Sequence, residues 1–147
     1  MSNIWKREIS ISRLNELGKG TLLENLKIEF CEIGDDYLCA KMPVFNGTQQ
    51  PFGLLHGGAS VALAETVSSV AGNFACTRDY AVLGAEINAN HLRAVRSGLV
   101  IAKARPLHLG SNSQVWEIEI KDEAEHLICI SRATLAVRKK MKLKDNV

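Results

Sequence analysis

The chain predicts an α+β domain in which an antiparallel sheet of about six strands wraps one long central helix. Three observations carry this expectation. The apolar segment from Gly57 to Cys76 lacks proline and runs too far for a strand, so it reads as a helix. Flanking segments alternate apolar and polar residues with the period of two that half-buried strands require. Short turn-rich stretches separate those segments, so consecutive strands are expected to pair antiparallel.

The elements follow in order. Ile9 to Leu17 has the spacing of a short amphipathic helix, stopped at Gly18 and Gly20, with helical character expected over 9–24. Leu26 to Phe30 and Tyr37 to Pro43 read as two strands joined by a turn at Gly34-Asp35-Asp36. Asn46-Gly47 marks a loop leading to Pro51. After the long helix, Leu83 to Asn90 alternates as a strand, and Leu99 to Ala104 forms another that ends before Pro106. Gly110-Ser111-Asn112-Ser113 is a loop. Val115 to Lys121 sets Trp116, Ile118 and Ile120 against Glu117, Glu119 and Lys121, which makes Trp116 a core residue. Asp122 to Glu125 turns the chain into a last strand, Leu127 to Val137.

At 147 residues the chain makes a single domain, 1–147, able to bury a core without disulfides or metal. A net charge of +2 gives no electrostatic case for a nucleic-acid partner. The basic tail 138–147, with Arg138, Lys139, Lys140, Lys142 and Lys144, reads as a solvated terminus rather than a binding arm. MSNIWKREIS has no apolar secretory core, and no run approaches the roughly 18 apolar residues of a membrane span, so no membrane partner is expected. The four cysteines, Cys31, Cys39, Cys76 and Cys129, form no CxxC pair and sit in apolar surroundings. They point to the reducing cytoplasm. The histidines lack HxH or HxxxH spacing, which argues against a metal site.

Glu65 is the only charged residue between Gly57 and Cys76. A carboxylate in so apolar a run either reaches solvent or a partner, or serves a function. Helical phasing puts Leu63, Val67, Val70 and Phe74 on one apolar face. Gly58, Val61, Ala62, Ser68, Ser69 and Gly72 fall on the other, with Glu65 at their centre. Such a small-residue face suits close packing, or a ligand that meets the carboxylate as general base or nucleophile. Gly57-Gly58 after His56 leaves uncovered backbone N–H groups at the helix start, able to polarise a carbonyl. Glu65 follows Gly57 by eight residues, roughly 12 Å of helical rise, which its N-terminally leaning side chain narrows.

QPFGLLHGGASVALAET (Gln50 to Thr66), GAEINANHLR (Gly84 to Arg93) and PLHLGS (Pro106 to Ser111) resemble the hotdog-fold, PaaI-like acyl-CoA thioesterases. The resemblance runs from Ile4 to about Val137. It is nearest the branch of the 1,4-dihydroxy-2-naphthoyl-CoA thioesterases and the enterobactin-pathway proofreading thioesterases. HGG alone is a modest signal, and Glu eight residues later plus the two downstream segments make it specific.

The resemblance implies a hotdog fold, sheets paired into a homodimer, a dimer of dimers, and active sites built from two subunits. Glu65 takes the position of the catalytic carboxylate, as nucleophile or as base for water. Gly57 matches the backbone donor to the thioester carbonyl. His56 and Gln50 match orienting polar groups, and Ser69 a hydroxyl near the hydrolytic water or the aryl group. Gly84, the run His91, Leu92, Arg93 and Ala94, and the loop His108, Leu109, Gly110, Ser111, Asn112 and Ser113 match positions lining the acyl-CoA and its phosphates. Arg93 suits a phosphate. Asn112 departs from the basic residue of near relatives, and Arg105 or Lys103 is the candidate replacement. No cofactor is implied, because coenzyme A is part of the substrate.

Taken singly, His91 and His108 are ordinary surface histidines; the matching segments give them a role. Three classes fit: an aryl-CoA thioesterase, a proofreading thioesterase acting on acylated carrier protein, and a non-enzymatic acyl-CoA-binding module. The first is the expectation. The third usually carries a DNA-binding segment, and the residues before Leu26 are too few for one.

Overall fold

The computed structural model describes residues 3–141. Six strands form one antiparallel sheet: β1 (Glu29–Ile33), β2 (Leu38–Pro43), β3 (Tyr80–His91), β4 (Leu99–Leu109), β5 (Ser113–Asp122) and β6 (Leu127–Lys139). Their spatial order is β1-β2-β4-β5-β6-β3. Two short helices, α1 (Ile11–Leu17) and α2 (Leu22–Asn25), precede the sheet, and the long helix α3 (Gly57–Phe74) packs against β2 through β6. The expected architecture is therefore observed.

The boundaries differ where local chemistry decides them. Ser10 caps α1 by accepting the Arg13 N–H at 3.4 Å, so the helix begins at Ile11 rather than Ile9. The first strand begins at Glu29 rather than Leu26, because Leu26 closes α2 and Lys27 adopts a left-handed φ of 57°. β4 does not stop before Pro106. Proline lies in register with Trp116 beside a bulge between Pro106 and His108, where a missing N–H is tolerated, and the strand reaches Leu109. β6 runs beyond Val137, with Arg138 opposite Ala81 and Lys139 opposite Tyr80, so the first tail residues belong to the sheet. Lys142 and Lys144 lie outside the described residues.

Trp116, Ile118 and Ile120 are fully buried, as their alternation requires, beneath Leu63, Ala64, Val67 and Ala71 of α3. The buried arc of α3 is wider than the predicted stripe because the curved sheet holds the helix on several sides. Ser68 is buried, and its hydroxyl donates to the Ala64 carbonyl at 2.9 Å. A Cβ on Gly72 would come within 2.5 Å of Leu135 and 2.6 Å of Gln114 Oε1. Both residues face the sheet, which corrects their assignment to the open face. Gly58, Val61, Ala62 and Ser69 remain exposed or half-buried beside Glu65.

Gln114 is buried between sheet and helix. It accepts the Trp116 indole N–H at 2.9 Å and donates to the Gly72 carbonyl at 3.3 Å and to Cys76 Sγ at 3.1 Å. Gln114→Ala strands the indole N–H, and urea unfolding is expected to show a loss of about 2–3 kcal/mol. A loss under about 0.5 kcal/mol would mean that this cluster contributes little.

Cys31 is exposed at the β1 bulge, which corrects its apolar placement, whereas Cys39, Cys76 and Cys129 are buried. Burial pushes the Cys39 thiol up to about 12, so it stays protonated and packs as a small hydrophobe.

The N-terminal segment straps the far end of α3. The Lys6 N–H donates to the Phe74 carbonyl at 2.9 Å, and Arg7 donates to the carbonyls of Cys76, Thr77 and Tyr80 at 2.9, 3.0 and 2.8 Å. This clamp fixes where β3 starts. β3 forms one edge of the sheet over 12 residues, with Leu83 64% exposed. A long edge with exposed apolar side chains is a template for pairing.

Candidate active site

The start of α3 is held by the loop before it. Buried Thr48 donates its hydroxyl to the Pro43 carbonyl at 2.8 Å, and its own carbonyl accepts the His56 N–H at 2.8 Å. His56 is thereby set as N-cap, with extended φ −69° and ψ 131°. Its Nδ1 accepts the Gly58 N–H at 2.8 Å, and its carbonyl accepts the Ala59 and Ser60 N–H groups at 3.0 and 3.2 Å. The neutral imidazole thus carries its proton on Nε2. Only the Gly57 N–H has no partner among the described residues. The expectation of two open glycine donors is corrected to one, because the cap consumes the other.

Gly57 is also approached from the side. A Cβ there would lie 2.8 Å from His91 Nε2, so the imidazole of β3's last residue packs directly over the helix start. Gln50 stands nearby on a tight turn, where its carbonyl accepts the Gly53 N–H at 2.9 Å and Gly53 takes a φ of 77°. The Gln50 Oε1 accepts the Phe52 N–H, and its Nε2 has no acceptor among the described residues.

Gln50, Gly57 and His91 to Ala94 together line a cavity of about 360 Å³. Leu54, Leu55, Ser60 and Ile128 complete it, residues to which sequence reasoning assigned no role. Leu54 and Leu55 are an apolar pair in a loop just ahead of a helix cap, a signal that was available. Ile128 had none. The fold brings it there, its carbonyl accepting the Leu92 and Arg93 N–H groups at 2.8 and 3.3 Å.

Glu65 is exposed, and its carboxylate forms no hydrogen bond or ion pair with any described residue. It lies on β3 rather than over the helix start. A Cβ on Gly84 would sit 2.7 Å from Glu65 Oε1, so glycine at the β3 bulge is what lets the carboxylate rest on the strand. Ser69 is half-buried one turn further along the same face. Glu65 and Gly57 remain separated by most of their helical rise, roughly 12 Å. One chain therefore does not close the gap that the leaning side chain was expected to narrow.

His108 to Ser113 lie at the other end of the molecule. The Gly110 N–H donates to the Ser113 carbonyl at 2.9 Å, and the Asn112 carbonyl accepts the Val137 N–H at 2.9 Å. His108 packs against Gly110. Gly110 and Ser111 line a separate cavity with Cys76 and Tyr80, beyond the C-terminus of α3. The length of the helix, on the order of 25 Å, divides this loop from the His91 to Ala94 group. Within one chain Lys103 and Arg105 lie away from Asn112. Lys103 lies 4.1 Å from the centre of the Tyr37 ring and Arg105 approaches Asp36 at 4.0 Å, on the β2 side of the sheet. Among the described residues no group of three His, Cys, Asp or Glu side chains could hold a metal ion. No described helix is long and apolar enough to cross a membrane.

An open N–H at a helix start in a cavity of mixed polarity, with an unpaired carboxylate two turns along the same helix, is equipment for attack on a carbonyl. Known proteins of similar sequence and fold bear on which carbonyl. The chain is 54% identical over 134 residues to the 1,4-dihydroxy-2-naphthoyl-CoA hydrolase of Escherichia coli, a match covering 91% of this chain and 98% of that protein. It is also 54% identical over 135 residues to the proofreading thioesterase EntH of Cronobacter turicensis, with the same two coverages of 91% and 98%. The crystal structure of a Haemophilus influenzae thioesterase superposes with a TM-score of 0.93 at 47% identity, covering 96% of this chain and 99% of that one. The helix wrapped by an antiparallel sheet is thus the hotdog fold of these enzymes. Residues 52–129, which carry the helix start, Glu65, Gly84 and His91, match the family model itself, and the chain belongs to the Thioesterase superfamily.

Proposed function

We propose that this thioesterase hydrolyses the thioester of an aromatic acyl-CoA, of the 1,4-dihydroxy-2-naphthoyl type, to the free acid and coenzyme A. The observation that carries the reading is the unpaired Glu65 carboxylate held on the same helix as one uncommitted N–H, that of Gly57. The Gly57 N–H and the helix dipole stabilise the oxyanion as the carbonyl is attacked. Glu65 takes a proton from the attacking water, or itself attacks to give an anhydride that water then opens. The C–S bond breaks as the carbonyl re-forms, and coenzyme A departs as the thiol. His56 Nε2–H and Gln50 Nε2–H supply the orienting donors.

A second copy of the chain completes this arrangement. The open β3 edge favours pairing about a two-fold axis, which lays two α3 helices across one another. One protomer's Glu65 then serves the partner's helix start, and the His108 to Ser113 loop of one protomer approaches the other's cavity. A homodimer, doubled into a dimer of dimers, follows as the working assembly. The buried thiols suit a cytoplasmic setting.

The 54% identity to a proofreading thioesterase favours one alternative, an acyl group delivered on a carrier protein. Free-thiol release from aryl-CoA, straight-chain acyl-CoA and aryl-carrier protein separates the readings. The highest kcat/KM is expected on aryl-CoA. Preference for the carrier protein would support proofreading, and no turnover on any of the three would leave only a binding module.

A further inference from the structure

Two serines of α3 are buried, and they differ in how their hydroxyls are satisfied. Ser68 donates to the carbonyls of Ala64 and Glu65 at 2.9 and 3.2 Å. Ser60 is 2% exposed, yet its hydroxyl makes no hydrogen bond with any described residue, and no side-chain oxygen or nitrogen among the described residues is both fully enclosed and unpaired. The residual exposure of Ser60 therefore includes its hydroxyl, which opens into the cavity of about 360 Å³ that the residue lines. A buried hydroxyl left open to a cavity is costly unless something polar enters to meet it.

We propose that Ser60 is a specificity-determining residue that hydrogen-bonds the first amide of the pantetheine arm of the thioester; this rests on the thioesterase reading above. The carbonyl is fixed at the Gly57 N–H, and its two substituents must leave in different directions. Gly57, Ser60 and Arg93 line one cavity, so one of the two substituents runs from the Gly57 N–H past Ser60 toward Arg93. Arg93, at the Ser60 side of the site, marks the end where a phosphate-bearing thiol carrier belongs. The thiol arm thus enters this cavity, and the acyl group points away from it. Gly57 and Ser60 are one turn apart, about 5 Å of rise, matching the four bonds from the thioester carbonyl carbon to the first amide nitrogen. Leu54, Leu55 and Ile128 suit the two methylenes between.

The test uses the full-length protein and two benzoyl thioesters, one of N-acetylcysteamine, which keeps that amide, and one of propanethiol, which lacks it. Ser60→Ala preserves helix propensity, and circular dichroism and the melting temperature check its fold. The expected result is a five- to tenfold fall in the ratio of kcat/KM for the amide ester to that for the alkyl ester, carried by KM. An unchanged ratio, or equal losses on both esters, overturns the inference. Absence of turnover by the unmodified protein on benzoyl-CoA would instead overturn the thioesterase reading itself.

Discussion

Glu65→Gln is expected to lower kcat on aryl-CoA at least about 10³-fold while the protein stays folded. The amide keeps the volume and nearly the shape of the carboxylate, so the side chain can still rest over Gly84. What disappears is the ability to take a proton or to attack a carbonyl carbon. General-base contributions run to about 10²–10⁴-fold, and loss of a nucleophile costs at least as much. Stability should hardly move, because the native carboxylate is exposed and bonds to no described residue. KM should change little if Glu65 acts chiefly in the transition state. Thiol release followed with dithiobisnitrobenzoate measures kcat, and light scattering follows assembly. Near-normal kcat in a folded Glu65→Gln protein would remove the carboxylate from the mechanism.

The fold was legible because its signals are periodic. Alternation at Trp116, Ile118 and Ile120, and an unbroken apolar run around Leu63 and Val67, specify elements whose partners scarcely matter. Boundaries were less legible, since they hang on single backbone states such as the left-handed φ of Lys27 or the bulge beside Pro106. The helix faces were read partly wrong for a different reason. Ser68 and Gly72 look like an open face when hydrophobicity alone is counted, but small size is what a closely wrapped sheet also demands. In the site, Glu65, Gly57 and His56 announce themselves by being out of place in their local sequence. Ser60 does not. A serine inside a helix looks unremarkable until the fold shows which hydroxyls have partners.

The second large effect isolates the backbone donor. Gly57→Pro deletes the one N–H of the helix start that has no partner among the described residues, and kcat is expected to fall about 10²–10³-fold. The position accepts proline for three reasons. It is the first residue of α3, where an imino acid forfeits no helical hydrogen bond. The residue before it, His56, already has the extended φ −69° and ψ 131° that precede proline comfortably. The proline ring also reinforces the backbone angle that a helix start needs. The obstacle is steric, since a Cβ would meet His91 Nε2 at 2.8 Å and force that ring to move. Gly57→Ala adds the same Cβ but keeps the N–H, so it controls for the contact with His91, while the proline Cδ also fills the space of the lost hydrogen. The informative quantity is the ratio of kcat between the two variants, read alongside their melting temperatures. A ratio near one would assign the whole loss to displaced His91, and the oxyanion would then need another donor. A ratio of about 10² or more places the carbonyl oxygen at the Gly57 nitrogen, where the helix start must offer an N–H for the reaction to proceed.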